Sequence, residues 1–104
     1  MHLVGLSQVE GFLSGSTQRD AADAVRAFIA ELKYRNWKNA RQMARDFSEA
    51  SFEVGQPKVR YRLFERKINI DCWIDFATKT VLIESCRWSK QAASKLSKIK
   101  DAAR

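Results

Sequence analysis

The chain has 104 residues, of which 45% are hydrophobic, and its formal net charge at neutral pH is +7. A chain of this length supports one hydrophobic core, so we expect a single domain over residues 1–104 and no second catalytic domain. No apolar run approaches the roughly 20 residues that a membrane span requires, and the N-terminus lacks a signal-peptide pattern. The sequence therefore predicts a cytoplasmic protein without a membrane partner.

The cysteine and histidine positions do not indicate metal or disulfide chemistry. Cys72 and Cys86 have no Cys-x-x-Cys spacing, and the only histidine is His2 at the start of the chain. We therefore expect no metal site and no cofactor. The two cysteines are predicted to be small buried hydrophobic side chains, because disulfides do not persist in the predicted compartment.

Positive charge is concentrated in the second half of the chain. Residues 1–56 contain seven Lys/Arg and seven Asp/Glu, whereas residues 57–104 contain twelve Lys/Arg and five Asp/Glu. A polyanion is one partner that this distribution favours, since each neutralised phosphate releases counterions. The alternatives are a basic surface that aids solubility or one that binds an acidic protein.

Three helices are predicted before residue 48. The first follows a capping box at Ser7–Glu10, the second spans Thr17–Arg35, and the third begins after Asn39 as N-cap. Trp37, between the second and third helices, is predicted to pack beneath its loop rather than to stack on a base. The residues at buried helical spacing are Val9, Phe12 and Leu13, then Val25, Phe28, Ile29 and Leu32, then Ala40, Met43, Ala44 and Phe47.

Three strands follow in the stretch from Lys58 to Cys86. Residues 67–76 alternate strictly, with Ile68, Ile70, Cys72, Ile74 and Phe76 on one face. This period of two predicts a half-buried strand, and short polar breaks on either side predict a meander. We therefore expect an α+β fold in which N-terminal helices pack on a three- to four-stranded antiparallel sheet. The opposite face of the sheet would carry Arg60, Arg62, Asn69, Asp71 and Trp73.

The last fourteen residues form a basic tail. Ala92, Leu96 and Ile99 would line one side of a helix, opposite Lys95, Lys98 and Lys100. The tail is predicted either as a loosely docked basic helix or as a segment that orders on binding a partner.

This layout resembles the HigB-type toxins of bacterial toxin–antitoxin systems, in the RelE/ParE-like superfamily. The resemblance lies in Val25–Lys33 ahead of Asn36–Asn39, in Asp46-Phe47 and Ala50–Phe52, and in the strands from Val59 to Ile83. It covers nearly the whole chain. It implies helices packed on a twisted antiparallel sheet, metal-independent endoribonuclease activity on mRNA or at the ribosome, and a helix-turn-helix antitoxin as partner.

The chain departs from the family at its catalytic positions. Asn69 stands where the family has an arginine, and Trp88-Ser89-Lys90-Gln91-Ala92 stands where the family has Thr-His-x-x-Tyr. Guanidinium groups can still stabilise the charge of a phosphorane, and a lysine with a lowered pKa can transfer a proton. The candidate catalytic residues are Arg87, Lys90, Lys67 and Asn69, and the candidate RNA-binding residues are Arg60, Arg62, Arg66, Trp73, Trp88, Lys95 and Lys98.

Three functional hypotheses remain open from the sequence. The first is a metal-independent endoribonuclease toxin. The second is a catalytically degenerate module that binds RNA, the ribosome or a protein, which the missing His and Tyr favour. The third is an inhibitor of a DNA enzyme, as in ParE-type toxins, or an unrelated protein of similar layout.

Overall fold

A computed structural model describes residues 1–15, 18–52 and 55–89 of the chain. These residues form five strands and three helices. In chain order the elements are β1 (His2–Val4), α1 (Leu6–Gly15), α2 (Arg19–Tyr34), α3 (Ala40–Asp46), β2 (Ala50–Phe52), β3 (Lys58–Leu63), β4 (Ile68–Asp75) and β5 (Thr80–Trp88).

The sheet differs from the predicted one in strand number and in direction. It has five strands in the order β1-β5-β4-β3-β2, and β1 pairs with β5 in parallel. The prediction of helices N-terminal to a three- to four-stranded antiparallel sheet is therefore wrong: the fold is α+β with a mixed sheet, and β1 precedes the helices. The error lies in β1 and β2, because three residues are too few to show a period of two.

The three strands of the meander are present and antiparallel. Strand β4 is central, with β3 on one side and β5 on the other. Its residues Ile68, Ile70, Cys72 and Ile74 are all buried, as the alternation predicted.

Helix α2 contributes much of the core that covers this inner face of the sheet. Val25, Phe28 and Leu32 are buried in the same hydrophobic cluster as the β4 residues, which confirms the predicted shared core. The helix as described begins at Arg19, after Gln18 as N-cap, and the predicted start at Thr17 lies outside the described residues. Helix α1 begins at Leu6, so Ser7 lies inside the helix instead of capping it.

The connection around α3 agrees with the sequence analysis. The Asn39 side chain accepts a hydrogen bond from the backbone N–H of Gln42, which confirms it as N-cap. Trp37 is 3% exposed and its Nε1 donates to Asp46 at 2.8 Å, so its ring packs in the core as predicted. The predicted C-terminal basic tail lies outside the described residues. Within the described ranges, no helix has the length and apolar character needed to cross a membrane.

The parallel pairing of β1 depends on a close approach at Gly5. This residue follows β1 directly, has a φ of +86°, and lies against the backbone of Ile83 in β5. A Cβ here would overlap the Ile83 carbonyl oxygen, which is a rigid backbone atom. Gly5 is therefore required both for its backbone conformation and for the space it leaves.

We predict that Gly5→Ala lowers the free energy of unfolding by about 2–4 kcal/mol, from strain at positive φ and from overpacking. Gly11→Ala is the control, because nothing lies within 4 Å of a Cβ at that position in α1. That variant should be more stable by about 0.5–1 kcal/mol. Urea unfolding of both variants tests the pair, and equal effects would contradict the close approach at Gly5.

Candidate functional site

The face of the sheet opposite the helices, here called the outer face, presents side chains in cross-strand rows. Arg62 of β3 pairs with Asn69 of β4, which pairs with Arg87 of β5. Directly opposed residues on one face have Cβ atoms about 4.5–5.5 Å apart, so the Asn69 amide lies between two arginine side chains. We call this set the Arg62–Asn69–Arg87 row.

The adjacent row holds a buried carboxylate. Arg60, Asp71 and Ser85 are paired across β3, β4 and β5. Asp71 is 5% exposed, and it is the only charged residue that is buried among those described. Strand pairing therefore brings an acid into contact with the basic side chains of the outer face.

A β-bulge in β5 determines which of its residues reach this face. Cys72 pairs with Ile83 and Asp71 pairs with Ser85, which leaves Glu84 as an extra residue in β5. Without the extra residue, the alternation that starts at Val81 and Ile83 would place Ser85 and Arg87 on the core side. The bulge reverses their orientation, so that both join Asp71 and Asn69 on the outer face.

Asp71 holds the arginines of the outer face through several contacts. Arg60 donates from Nε to Oδ1 at 2.7 Å and from Nη2 to Oδ2 at 3.2 Å, and Ser85 Oγ donates to Oδ2 at 3.3 Å. Arg87 Nη2 lies 3.9 Å from Oδ2. The two-point contact fixes the plane of the Arg60 guanidinium, since both hydrogen bonds must align at once.

The ionisation of Asp71 follows from these contacts. Burial alone raises the pKa of this carboxyl, but the Arg60 hydrogen bond and charge, with smaller contributions from Ser85 and Arg87, outweigh burial. The net result is a pKa below the ordinary aspartate value, so Asp71 is a carboxylate at neutral pH.

Arg62 and Arg87 are more available to a ligand than Arg60. Arg62 Nη1 donates to the Ser51 hydroxyl and forms no ion pair with the described residues. The Arg87 side chain is 63% exposed. A cavity of ≈ 330 Å³ opens beside the row and is lined by Arg60, Asn69, Arg87 and Trp88. The side-chain amide of Asn69 forms no hydrogen bond within the described part of the chain.

The two tryptophans proposed as stacking surfaces have neighbours in this structure. Trp73 donates from Nε1 to Glu84 at 2.7 Å, and the Lys58 ammonium lies 5.5 Å from the Trp73 ring centroid. A base stacking on that side of Trp73 would have to displace Lys58. Trp88 packs its ring near Phe12 and Phe64, with centroids 5.6 and 6.4 Å away.

The turn between β3 and β4 carries two further candidates at one end of the sheet. Arg66 donates from Nε to Glu49 at 2.8 Å, and Lys67 Nζ lies 3.4 Å from Glu65 and 5.3 Å from the Phe64 ring centroid. Both side chains are exposed and paired with acids, away from the cavity lining. The structure thus brings Asn69 and Arg87 together with Arg60 and Arg62, but not with Lys67. The other candidates, Lys90, Lys95 and Lys98, lie outside the described residues.

The described residues supply anion-binding groups but no evident nucleophile. Burial raises the pKa of the Cys86 thiol to about 12, and burial also raises the pKa of Cys72, so both remain protonated at neutral pH. In residues 1–15, 18–52 and 55–89, no group of three or more His, Cys, Asp or Glu side chains could hold a metal ion.

Sequence analysis placed Asp71 on the outer face but missed its central position, and it missed Ser85. The sequence of β5 carries a signal for both: its apolar residues change from odd-numbered positions, Val81 and Ile83, to even-numbered positions, Cys86 and Trp88. An interval of three between apolar residues in a strand indicates a bulge. Reading it would have placed Ser85 and Arg87 beside Asp71.

Comparison with known proteins identifies no family for this chain. No protein-family model matches the chain, and no curated protein sequence matches it with significant similarity. The functional case therefore depends on the outer face itself and on the resemblance carried by the residues quoted above.

We predict that Asp71→Asn lowers the free energy of unfolding at pH 7 by about 1–3 kcal/mol, because the Arg60 fork then faces a neutral amide. The pKa of Asp71 is lowered in the folded state. Its ionised form therefore stabilises the fold above about pH 4, the ordinary aspartate range, and this contribution is lost as the pH falls through the folded pKa. The difference between wild type and variant should accordingly shrink between pH 7 and pH 3.

Urea unfolding at several pH values measures this difference. Asp75→Asn is the matched control, because Asp75 is an exposed carboxylate on the same strand and, among the described residues, accepts only the backbone N–H of Ala77. It should change stability by less than about 0.5 kcal/mol. An Asp71→Asn effect that stays constant down to pH 3 would contradict the stabilising role of the ionised carboxylate.

Proposed function

We propose that this protein binds RNA on its outer face, through phosphodiester groups held at the Arg62–Asn69–Arg87 row. The observation that carries the proposal is the row itself, in which a side-chain amide lies between two arginines with no carboxylate in the same row. Guanidinium groups match two oxygens of a phosphate, and an amide can both donate and accept. Such a set binds an anionic group that also carries hydrogen-bonding atoms.

The distribution of charge supports a polyanionic ligand. The excess of Lys/Arg lies entirely in residues 57–104: three charges of it fall in residues 57–89, which contain β3, β4 and β5, and four fall in residues 90–104. An acidic protein would also be attracted to this surface. RNA is the better candidate because the resemblance to HigB-type toxins implies mRNA or the ribosome as target and a helix-turn-helix antitoxin as partner.

Cleavage of the bound RNA is the second candidate function, and the position of Arg87 favours it. Arg87 is the penultimate residue of β5, the strand after which the resembling family keeps its reactive residues, and it flanks Asn69 together with Arg62. Guanidinium groups there would stabilise the charge of a phosphorane formed by attack of a 2′-hydroxyl. Proton transfer would fall to Lys90, which lies outside the described residues, because Lys67 is paired with Glu65 away from the Arg62–Asn69–Arg87 row. If Lys90 does not serve, the protein is the degenerate binding module.

We predict that replacing both Arg62 and Arg87 by alanine weakens binding of a labelled single-stranded RNA about tenfold per residue, because each loses a charge-assisted hydrogen bond. The salt dependence should also flatten by about 0.7 per lost phosphate contact. Fluorescence anisotropy over a salt series measures both quantities.

The control replaces Arg19 of α2 and Arg41 of α3 by alanine, which removes the same charge from exposed positions on the helices. Its RNA affinity should fall far less than that of the outer-face variant. Equal losses in the two variants would argue for non-specific attraction by net charge and against a localised site.

For cleavage, we predict products that end in a 2′,3′-cyclic phosphate and activity that survives chelation of metal ions. The assay incubates the full chain with labelled mRNA, with and without translating ribosomes, and maps the ends of the products. Arg87→Ala should remove cleavage while RNA binding is only partly lost. If the wild-type protein binds RNA but cleaves none under either condition, the binding-module function stands and the endoribonuclease function is wrong.

A further inference from the structure

Asp71 is an acid at the centre of a surface proposed to attract anions. Its carboxylate lies in the row next to Asn69 and accepts both Arg60 hydrogen bonds and the Ser85 hydroxyl. A negative charge in this place reduces the attraction of the outer face for any polyanion. A contribution of Asp71 to ligand binding must therefore come through geometry and not through charge.

The geometry concerns two arginines that line the same cavity. Arg60 and Arg87 both border the cavity beside Asn69, and both approach Asp71, Arg60 by a two-point contact and Arg87 at 3.9 Å. Arginine side chains have many rotamers, and fixing one costs conformational entropy. Contact with a buried carboxylate reduces this freedom before a ligand arrives.

We propose, on the basis of the RNA-binding function above, that Asp71 is a positioning residue that makes the site selective for an RNA phosphodiester over other polyanions. It holds the Arg60 guanidinium in one plane and restricts Arg87 on the other side of Asn69. Counterion release favours any polyanion equally, whereas guanidiniums held at fixed positions and orientations favour the polyanion whose phosphates are spaced to meet them, and the phosphates of RNA are farther apart along the chain than those of polyphosphate. Selectivity thus depends on the orientation that Asp71 imposes.

The proposal makes opposite predictions for two ligands. In Asp71→Asn the outer face gains one unit of positive charge and the arginines lose their anionic anchor. Binding of inorganic polyphosphate should strengthen about two- to threefold, because one repulsive charge is gone. Binding of single-stranded RNA should weaken about tenfold, because the fixed hydrogen-bond geometry is lost.

Asp75→Asn is the matched control, since it removes one carboxylate from β4 without contact to Arg60 or Arg87. It should leave the ratio of RNA to polyphosphate affinity unchanged. A purely structural role for Asp71 would move both affinities in the same direction along with stability. Equal changes of the ratio in the two variants, or none in either, would overturn the proposal.

A second variant keeps the proposal testable if Asp71→Asn does not fold. Arg60→Lys retains the charge and the carboxylate but cannot form the two-point contact. It should lose RNA affinity about tenfold without any gain in polyphosphate affinity. Unchanged RNA affinity in Arg60→Lys would overturn the proposal.

Signals from the arginine Nε–H groups in NMR spectra separate the failure of this inference from that of the RNA-binding function. In the wild-type protein the Arg60 signal should have a distinct chemical shift and be protected from exchange with solvent. In Asp71→Asn its chemical shift should move to that of the exposed arginines, and the protection should be lost. A wild type that does not bind RNA disproves the RNA-binding function, and the positioning role with it, even if the Arg60 signal is protected. A wild type that binds RNA, but no more tightly than polyphosphate, disproves the selectivity assigned to Asp71 and leaves the RNA-binding function standing. RNA selectivity with an unprotected Arg60 signal disproves the positioning role alone.

Discussion

The alternation of apolar and polar residues along β4, which lies between β3 and β5, is the constraint on which the rest of the structure depends. Its even-numbered residues are buried against α2, and its odd-numbered residues form the outer face. A shift of one residue in register would turn Asn69, Asp71 and Trp73 toward the core and four apolar side chains toward the outer face. The burial of Ile68, Ile70, Cys72 and Ile74 therefore places the polar residues of the candidate site as a direct consequence.

The bulge at Glu84 determines which residues of β5 face the core and which face outward, so it affects both the core and the candidate site. It allows Cys86 and Trp88 to face the core while Ser85 and Arg87 face outward. The core side gains contacts between Trp88 and Phe12, and the outer side gains the groups that surround Asp71. One extra residue in one strand thus serves both packing and the assembly of the Arg62–Asn69–Arg87 row.

Sequence reasoning succeeded where the determining interactions are local. The meander, the buried face of α2 and the N-cap at Asn39 follow from periodicity and short-range hydrogen bonds, and all three are present. The predicted face of α3 is present only in part, because Ala44 is exposed. It failed for β1, whose three residues carry no period and whose partner Thr80–Leu82 lies at the far end of the chain. Such pairing depends on the assembled core and on the space left by Gly5, which no local pattern records.

The same distinction applies to the candidate site. The alternation of β4 and the simplest register with β3 placed Arg60, Arg62, Asn69, Asp71 and Trp73 on one face. The contacts of each side chain could not be predicted from the sequence, because the two-point contact of Arg60 with Asp71 and the position of Lys58 near the Trp73 ring depend on side-chain rotamers. The sequence alternation shows which residues share a face of the sheet, whereas side-chain packing determines which of them contact each other.

The turn that joins β3 to β4 shows how strongly the strands hold their register. Phe64, Glu65 and Arg66 all have φ between 54° and 67°, a left-handed conformation that costs L-residues about 1–2 kcal/mol each. Because these residues do not favour this conformation, the turn does not determine how the strands pair. The pairing of Arg62 with Asn69 is imposed by the strands and by burial of Ile68 and Ile70. The relative positions of Arg62 and Asn69 are thus set by strand pairing and the hydrophobic core, and not by the turn that connects their strands.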